Sequence, residues 1–286
     1  MKIASIDIGT NAIKSKVFNT SPTSIEFIEG IRSPIRLGAE VFETGFLSEN
    51  KLNELIKTLK KYQNNFIKNN IKMYEIVATS AFRDTENSEK ARRYVENKIE
   101  HPIRIISGLE EAKLIRFHPK AQSKANKIYV DVGGGSTEVY IYKNEEHIIQ
   151  SFQLGAVRSM LNKDHTDEWN RLNLWLKKQS DVGTLIGLGG SVKSFLNLNK
   201  LKIISSEKFI KKSEELRGMN ITEKKEAYNL AEDRADVIDY ALDIYIKIIN
   251  GLNIKRIKST KWGVSDSIAV KTFHELYSKK ISIYKD

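Results

Sequence analysis

The fold of this chain is decided by the stretch Asp131-Val132-Gly133-Gly134-Gly135-Ser136-Thr137-Glu138. The apolar residues 128–130 precede it and the alternating residues 139–142 follow it, a pattern that predicts a strand, a glycine turn and a second strand. Three successive glycines allow positive φ angles, so the N–H groups of the turn can converge on an anion such as phosphate. A phosphate beside the carboxylates of Asp131 and Glu138 needs a cation between them, and Mg²⁺ is the natural choice. An ordinary glycine-rich hairpin is the alternative.

A second copy of this pattern lies near the N-terminus. The apolar run at residues 3–6 leads to Asp7-Ile8-Gly9-Thr10-Asn11, and the alternating residues 13–18 follow. The separation of Asp7 and Asp131 is too long for a solenoid repeat but is typical of a duplicated domain. The sequence therefore predicts two α/β domains that each contribute one hairpin. The two hairpins are expected to face each other across a central cleft and to bind a phosphate chain.

The composition is that of a globular protein. Among 286 residues, 40% are apolar and 29% are charged, which suits two domains with full cores. The absence of cysteine excludes disulfides and thiolate metal sites and favours a cytoplasmic location. No run approaches the roughly 20 apolar residues of a membrane span, so no membrane partner is expected. The N-terminus carries Asp7 in its first apolar segment, which argues against a signal peptide.

The net charge of +11 predicts attraction to polyanions such as polyphosphate, nucleotides or nucleic acid. Most of the excess positive charge comes from lysines scattered along helices, a distribution that is equally typical of a solvated surface. The sequence contains no helix-turn-helix signature, zinc finger or basic run interleaved with aromatic residues. A nucleic-acid partner is therefore not expected.

Two further candidates lie in the first half. A strand at 75–78 ends at Thr79-Ser80-Ala81-Phe82-Arg83, and an arginine just past a strand end can contact phosphate oxygens. An exposed loop arginine is the alternative. Ser107 and Glu110 form a capping box at the start of a helix, which leaves Glu111 without a capping role. Glu111 could take a proton from an attacking water, although acids also favour a first helical turn because of the dipole.

The second half opens after Pro119 and contains another glycine loop. A short strand at 184–186 enters Gly187-Leu188-Gly189-Gly190-Ser191, and a helix follows through residue 198. A strand, a glycine loop and a helix N-terminus together predict a third phosphate-type site. The loop matches neither the Walker lysine pattern nor the full Rossmann spacing.

Apolar periodicity predicts a long helix towards the end of the chain. It begins at Asp233, carries Arg234 on its first turn and closes at Asn250-Gly251. A strand at 256–258 and the segment Trp262–Ser267 come next, before a last helix.

With these segments assembled, the chain resembles the family of exopolyphosphatases and guanosine pentaphosphate phosphatases, within the superfamily of actin, Hsp70 and sugar kinases. The resemblance runs nearly from end to end. The motifs that carry it are DIGTN (7–11), TSAFR (79–83), ISGLEEA (106–112), DVGGGSTE (131–138), GLGGS (187–191) and RADVI (234–238). It implies two actin-like, ribonuclease H-like domains, each a mixed sheet with flanking helices.

The resemblance also implies a Mg²⁺-dependent hydrolase, with Mn²⁺ as an alternative ion, that releases terminal orthophosphate from polyphosphate or a guanosine polyphosphate. It implies that Glu111 is the general base, that Glu138 helps to position the attacking water, and that Asp7, Asp131 and Glu138 hold the metal. Phosphate-binding roles follow from the resemblance or from the glycine loops for Thr10, Asn11, Arg83, Gly133, Gly134, Gly135, Ser136, Gly189, Gly190, Ser191 and Arg234.

The chain departs from the family pattern in three places. Thr10 and Ala12 stand where the family usually has serine. The segment Gly263-Val264-Ser265-Asp266-Ser267 stands where the family usually has glycine-leucine-arginine-glutamate-glycine, which bears on the inter-domain edge of the site and on substrate preference. Longer relatives add a helical C-terminal domain, so a short form is expected to hold a long polymer less processively.

The predicted domains are 1–119 and 120–269, with a helix from about 270 to 286 returning to the first. Two alternative functions stay open: a kinase or ATPase of the same superfamily, and a non-catalytic polyphosphate or nucleotide sensor. The altered segment at 263–267 favours the sensor, whereas the intact carboxylates favour the hydrolase. Many relatives pair, so the resemblance allows a homodimer.

Overall fold

The computed structural model describes residues 1–123, 126–277 and 283–285. The chain divides into two compact units. The first unit is Met1–Lys120 with Val264–Asp286, and the second unit is Ala121–Gly263. In the part of the chain that is described, no helix combines the length and the apolar character needed to cross a bilayer.

The strands, in chain order, are β1 (Lys2–Ile8), β2 (Ile13–Ser21), β3 (Ser24–Ser33), β4 (Met73–Ala78), β5 (Arg104–Ile105), β6 (Lys127–Val132), β7 (Thr137–Lys143), β8 (Glu146–Phe152), β9 (Thr184–Leu188), β10 (Ile203–Ser205), β11 (Arg256–Ser259) and β12 (Ile283–Lys285). The helices are α1 (Leu37–Thr44), α2 (Glu49–Lys68), α3 (Ser80–Asp84), α4 (Ser88–Ile99), α5 (Gly108–Leu114), α6 (Ala156–Met160), α7 (Thr166–Lys177), α8 (Ser191–Leu198), α9 (Ser206–Arg217), α10 (Ile221–Tyr228), α11 (Glu232–Ala235), α12 (Ile238–Leu252) and α13 (Val264–Tyr277).

Each unit contains one mixed sheet built around the same three-strand arrangement. The first sheet has the order β12-β3-β2-β1-β4-β5, and the second has the order β10-β11-β9-β6-β7-β8. In the first, β1 pairs antiparallel with β2 and parallel with β4. In the second, β6 pairs antiparallel with β7 and parallel with β9. The prediction of two α/β units with mixed sheets and flanking helices is confirmed.

The N-terminal residues of α13 attach this helix to the first sheet. Ser5 of β1 donates its hydroxyl to the carbonyl of Ser265 at 2.7 Å. The side chain of Asp266 is fully buried and accepts from the ammonium of Lys16 on β2 at 2.5 Å. The boundary between the units therefore falls at 263/264, before the helix, rather than near 270.

The predicted helix that starts at Asp233 is two helices. The short α11 carries Arg234, and α12 starts at Ile238 after a tight turn in which the N–H of Val237 donates to the carbonyl of Arg234. The helix also ends later than predicted, at Leu252, because Asn253 takes the left-handed conformation (φ 50°) and caps it. The lysine-rich stretch before α9 holds β10, a strand that periodicity did not indicate.

The Lys16–Asp266 pair generates a stability prediction. Asp266→Ala is expected to lower the free energy of unfolding by about 3 kcal/mol, because it removes the carboxylate that balances a largely buried ammonium. Urea unfolding of the full chain measures this loss. The double variant Lys16→Met with Asp266→Leu removes both charges, so it is expected to recover most of the stability. A double variant no more stable than Asp266→Ala would contradict the importance of this pair.

Candidate functional site

The glycine turn of the second unit joins β6 to β7. The N–H of Gly133 donates to the carbonyl of Ser136 at 2.9 Å and closes the turn, with Ser136 itself buried. Asp131 and Glu138 are direct cross-strand partners, so their side chains leave the hairpin on the same face. The predicted strand, turn and strand are confirmed, and the two carboxylates expected to bind metal lie on neighbouring strands.

Glu138 is held in place by a residue of the next strand. Its side chain is only 2% exposed, and a carboxylate buried to that extent needs hydrogen-bond donors. Ser151 of β8, which is its register partner, donates its hydroxyl to Oε1 of Glu138 at 2.8 Å. Sequence reasoning missed Ser151, because its relation to Glu138 depends on the register of β7 and β8.

The second glycine loop of this unit approaches Asp131. Gly189 has a φ of +74°, and a Cβ on it would lie 2.7 Å from Oδ1 of Asp131. The N–H of Gly189 donates to the carbonyl of Trp262 at 3.2 Å, so this amide is used in packing. Ser191 is the first residue of α8 and is partly buried. The N–H of Gly189 is therefore already used and is not available to a phosphate. The loop itself lies beside the carboxylate of Asp131.

Arg234 lies over the same loop. A Cβ on Gly190 would be 3.2 Å from Nη2 of Arg234, so the guanidinium packs on the face of this glycine. Its Nη1 donates to Oγ of Ser194 on α8 at 2.6 Å. Asp131, Gly189, Gly190 and Arg234 therefore belong to one group of contacts within the second unit. Ser194, which sets the position of Arg234, was not singled out by the sequence.

Tyr245 of α12 supports the strands beneath Asp131. Its ring is fully buried, and its hydroxyl donates to the carbonyl of Val130 at 3.2 Å. Burial, followed by the negative charge of Asp131, raises the pKa of this phenol well above its usual range. Tyr245 therefore stays protonated and acts as a donor to β6.

The N-terminal hairpin places Asp7 at the end of β1. Asp7 is buried, and Nζ of its register partner Lys14 lies 3.5 Å from Oδ2.

The carbonyl of Thr10 accepts from the N–H of Gly38 at 2.8 Å. A Cβ on Gly38 would lie 2.0 Å from Cγ2 of Thr10, so the threonine methyl, absent from the usual serine, packs on this glycine. The carbonyl of Asn11 accepts from Arg36.

The first unit also brings together the predicted arginine clamp and the predicted base. Nη1 of Arg83, on α3, lies 3.1 Å from Oε2 of Glu111, on α5, and 2.8 Å from the carbonyl of Ile106. Both side chains are largely buried. Arg83 thus belongs to a short helix rather than a loop, and its contact with Glu111 fixes the orientation of that carboxylate.

The neighbouring glutamate has a structural role. Glu110 accepts from the N–H of Ser107 at 2.7 Å, and its own N–H donates to Oγ of Ser107, which confirms the capping box. This backbone hydrogen bond is the main reason that the pKa of Glu110 is lowered. The two adjacent carboxylates are therefore distinct: Glu110 closes the helix end, and Glu111 pairs with Arg83.

The carboxylate pair of the second unit fits a magnesium ion. Among residues 1–123, 126–277 and 283–285, no group of three or more His, Cys, Asp or Glu side chains forms a metal cluster. Mg²⁺ does not need one, since it usually keeps several waters and binds one or two carboxylates with the phosphates of a substrate. Asp131 and Glu138 meet that requirement. A ligand role for Asp7, in the first unit, stays a prediction.

Comparison with known proteins agrees with this description. The sequence model of the Ppx/GppA phosphatase family matches residues 16–276. A bifunctional 3-dehydroquinate synthase/phosphatase of Fusobacterium nucleatum is 29% identical over 285 residues, covering 88% of this chain. The chain spans 40% of the length of that relative.

Two solved structures share the fold. A Ppx/GppA family member of Aquifex aeolicus superposes with a TM-score of 0.77 at 22% identity, covering 99% of both chains. An exopolyphosphatase of Cytophaga hutchinsonii superposes with a TM-score of 0.84 at 19% identity, covering 96% of this chain and 98% of its own. At these identities the likeness establishes the fold.

The approach of Gly189 to Asp131 generates a prediction. Gly189→Ala is expected to destabilise the protein by about 1–2 kcal/mol from its left-handed backbone alone, and further from the contact with Oδ1 of Asp131. Urea unfolding measures the change. Gly218→Ala is the control, because its Cβ would meet no atom closer than 3.5 Å at a φ of −65°. Equal stability of the two variants would show that the close approach is unimportant.

Proposed function

Because the chain belongs to the Ppx/GppA phosphatase family, we propose that it is a hydrolase that releases terminal orthophosphate from inorganic polyphosphate, guanosine pentaphosphate or both. The observation that carries this proposal is the glycine turn flanked by Asp131 and Glu138 on one face of a hairpin. Backbone amides and a carboxylate pair are the combination that a phosphate chain with its magnesium ion requires.

The proposed reaction is attack of water on the terminal phosphorus. A bond forms between the water oxygen and phosphorus, the bridging P–O bond breaks, and the shortened chain leaves with the electron pair on the bridging oxygen. Glu111 takes the proton from water, and its contact with Arg83 at 3.1 Å holds the carboxylate in one orientation. Such reactions depend mainly on positioning and on neutralising charge.

Asp131 and Glu138 are the residues that we propose to hold Mg²⁺, or Mn²⁺ in its place. When bound, the ion would neutralise phosphate charge and polarise the phosphoryl group. The remaining groups act directly: the turn Gly133–Ser136 offers amides to phosphoryl oxygens, and Arg234, held by Ser194, adds positive charge.

The choice of substrate rests on charge and on what similar proteins are named for. A chain of net charge +11 attracts polyanions. The Cytophaga hutchinsonii structure is of an exopolyphosphatase, and the Fusobacterium nucleatum relative is named as a phosphatase in one of its two activities. Polyphosphate is therefore our first choice and guanosine pentaphosphate our second. A cytoplasmic location, a homodimer and the absence of a nucleic-acid partner stay predictions.

The non-catalytic sensor loses its main support. It rested on the altered segment Gly263–Ser267, in which Asp266 now has a packing role through its buried pair with Lys16. A segment that holds a helix on a sheet gives no reason to infer loss of catalysis. The kinase or ATPase alternative has no observation in its favour beyond the shared fold.

Glu111→Gln tests the proposal, with Glu110→Gln as its matched control. Loss of the base is expected to lower the rate of Mg²⁺-dependent phosphate release by about 100-fold or more. Glu110→Gln should stay within about twofold of the wild type, since glutamine also completes a capping box. Phosphate released from long-chain polyphosphate and from guanosine pentaphosphate, with Mg²⁺ or with EDTA, is the measurement.

Two results would contradict the proposal. Full activity of Glu111→Gln would remove Glu111 as the base. A wild-type protein that binds either substrate but releases no phosphate from it would favour the sensor instead.

A further inference from the structure

The segment Gln153–Arg158, which leads from β8 into the first residues of α6, is bonded to the glycine turn through Ala156, Val157 and Arg158. Backbone amides reach two of the turn carbonyls, and an arginine side chain reaches the third. The contacts are Ala156 N to Gly133 O at 2.9 Å, Val157 N and Arg158 N to Gly134 O at 2.8 and 3.0 Å, and Arg158 Nε to Gly135 O at 2.9 Å.

These bonds determine where the amides of the turn point. In a planar trans peptide, the C=O of one residue and the N–H of the next point in opposite directions. The carbonyls of Gly133, Gly134 and Gly135 all face the segment 153–158. The N–H groups of Gly134, Gly135 and Ser136 therefore face away from it, towards the side on which a phosphate would be bound.

Arg158 is built into this arrangement rather than lying on the surface. Arg158 is only 6% exposed, and an arginine is seldom buried to this extent without partners. Burial raises the pKa of Glu168, but hydrogen bonds from Arg171 and from the N–H of Gln153 outweigh this effect. Together with the charge of Arg158, they hold the pKa of this carboxyl below its usual value. Arg158 thus lies close enough to interact with the charge of Glu168, whose own ion pair is with Arg171 at 2.6 Å.

The start of the segment is fixed as well. Oε2 of Glu168 accepts from the N–H of Gln153 at 2.7 Å. The hydroxyl of Thr137, the first residue after the turn, donates to the carbonyl of Leu154 at 2.6 Å. The start of the segment is therefore held by α7 at Gln153 and by the hairpin at Leu154.

Gly155 allows the segment to lie flat on the turn. A Cβ at this position would be 2.5 Å from both the carbonyl carbon and the nitrogen of Gly135, and 2.6 Å from the carbonyl carbon of Gly134. These are backbone atoms, so any side chain at 155 must displace the turn.

We propose that Arg158 is a positioning residue: by holding the carbonyl of Gly135, it aims the amides of the turn at the phosphoryl oxygens of the substrate. The proposal rests on the hydrolase function proposed above. Arg158 acts through the backbone of the turn, so its effect falls on the geometry in which the phosphoryl group reacts.

Arg158→Met tests the proposal, because it keeps much of the side-chain bulk and removes every donor. We expect kcat for phosphate release to fall about 100-fold and KM to rise about tenfold, since misdirected amides bind the phosphate less tightly and lose most where charge develops. Arg158→Lys keeps the charge and one donor group, so its kcat should lie between that of Arg158→Met and that of the wild type. Equal activity of Arg158→Met and the wild type would overturn the proposal.

A matched glycine pair separates displacement of the turn from general damage. Gly155→Ala must push the turn, whereas a Cβ on Gly183 would meet nothing within 4 Å. We expect Gly155→Ala to show the same loss of kcat as Arg158→Met, and Gly183→Ala to behave as the wild type. Leu176→Ala on α7, a buried residue whose side chain packs against Gly251 of α12, controls for lost stability. If it loses as much kcat as Arg158→Met, the role of Arg158 is structural only and the proposal fails.

A binding measurement keeps this proposal separate from the proposed function. Calorimetry with inorganic tripolyphosphate and Mg²⁺ needs no turnover. If the wild type binds tripolyphosphate but hydrolyses nothing, the hydrolase function fails. In that case at least tenfold weaker binding by folded Arg158→Met, with Gly183→Ala unaffected, would still support the positioning role, and equal binding would overturn it.

Discussion

Both hairpin turns depend on one constraint, which is that their carbonyl oxygens are bonded to a segment leading into a helix. In the first unit, the N–H groups of Arg36 and Gly38 at the start of α1 hold the carbonyls of Asn11 and Thr10. In the second, the segment entering α6 holds the carbonyls of Gly133–Gly135. A turn whose carbonyls are all directed to one side must present its amides on the other. The anion-binding role that we propose for these turns thus depends on the helix behind them as much as on glycine.

The hairpins, the capping box and the two similar sheets could be predicted from the sequence because their signals are local. The hairpins follow from apolar runs, alternation and turn residues, and all of them formed as expected. The capping box of Ser107 and Glu110 needs only a spacing of three residues, which is why it separated Glu110 from Glu111 correctly. The duplication of the Asp-containing hairpin likewise predicted two sheets with the same central strands.

What sequence reasoning missed lies in contacts between distant segments. The bond from Ser151 to Glu138 depends on strand register, and the contact of Arg83 with Glu111 depends on how α3 and α5 pack. The division between α11 and α12 is a backbone turn that apolar periodicity runs straight through. Arg158 did give a signal, since a single arginine after Leu154-Gly155-Ala156-Val157 is an unusual charge in an apolar segment.

The altered segment at 263–267 shows how a departure from a family pattern can be resolved by its neighbours. Asp266 could not be buried alone, because an isolated carboxylate out of water is too costly. Lys16 on β2 supplies the opposite charge, and Ser5 on β1 holds the backbone beside it through Ser265. The change is therefore accommodated wholly within the first unit, by two strands and one helix. The carboxylate pair of Asp131 and Glu138, the glycine turn and the segment that holds it all lie in the second unit, so none of these residues takes part in the packing change.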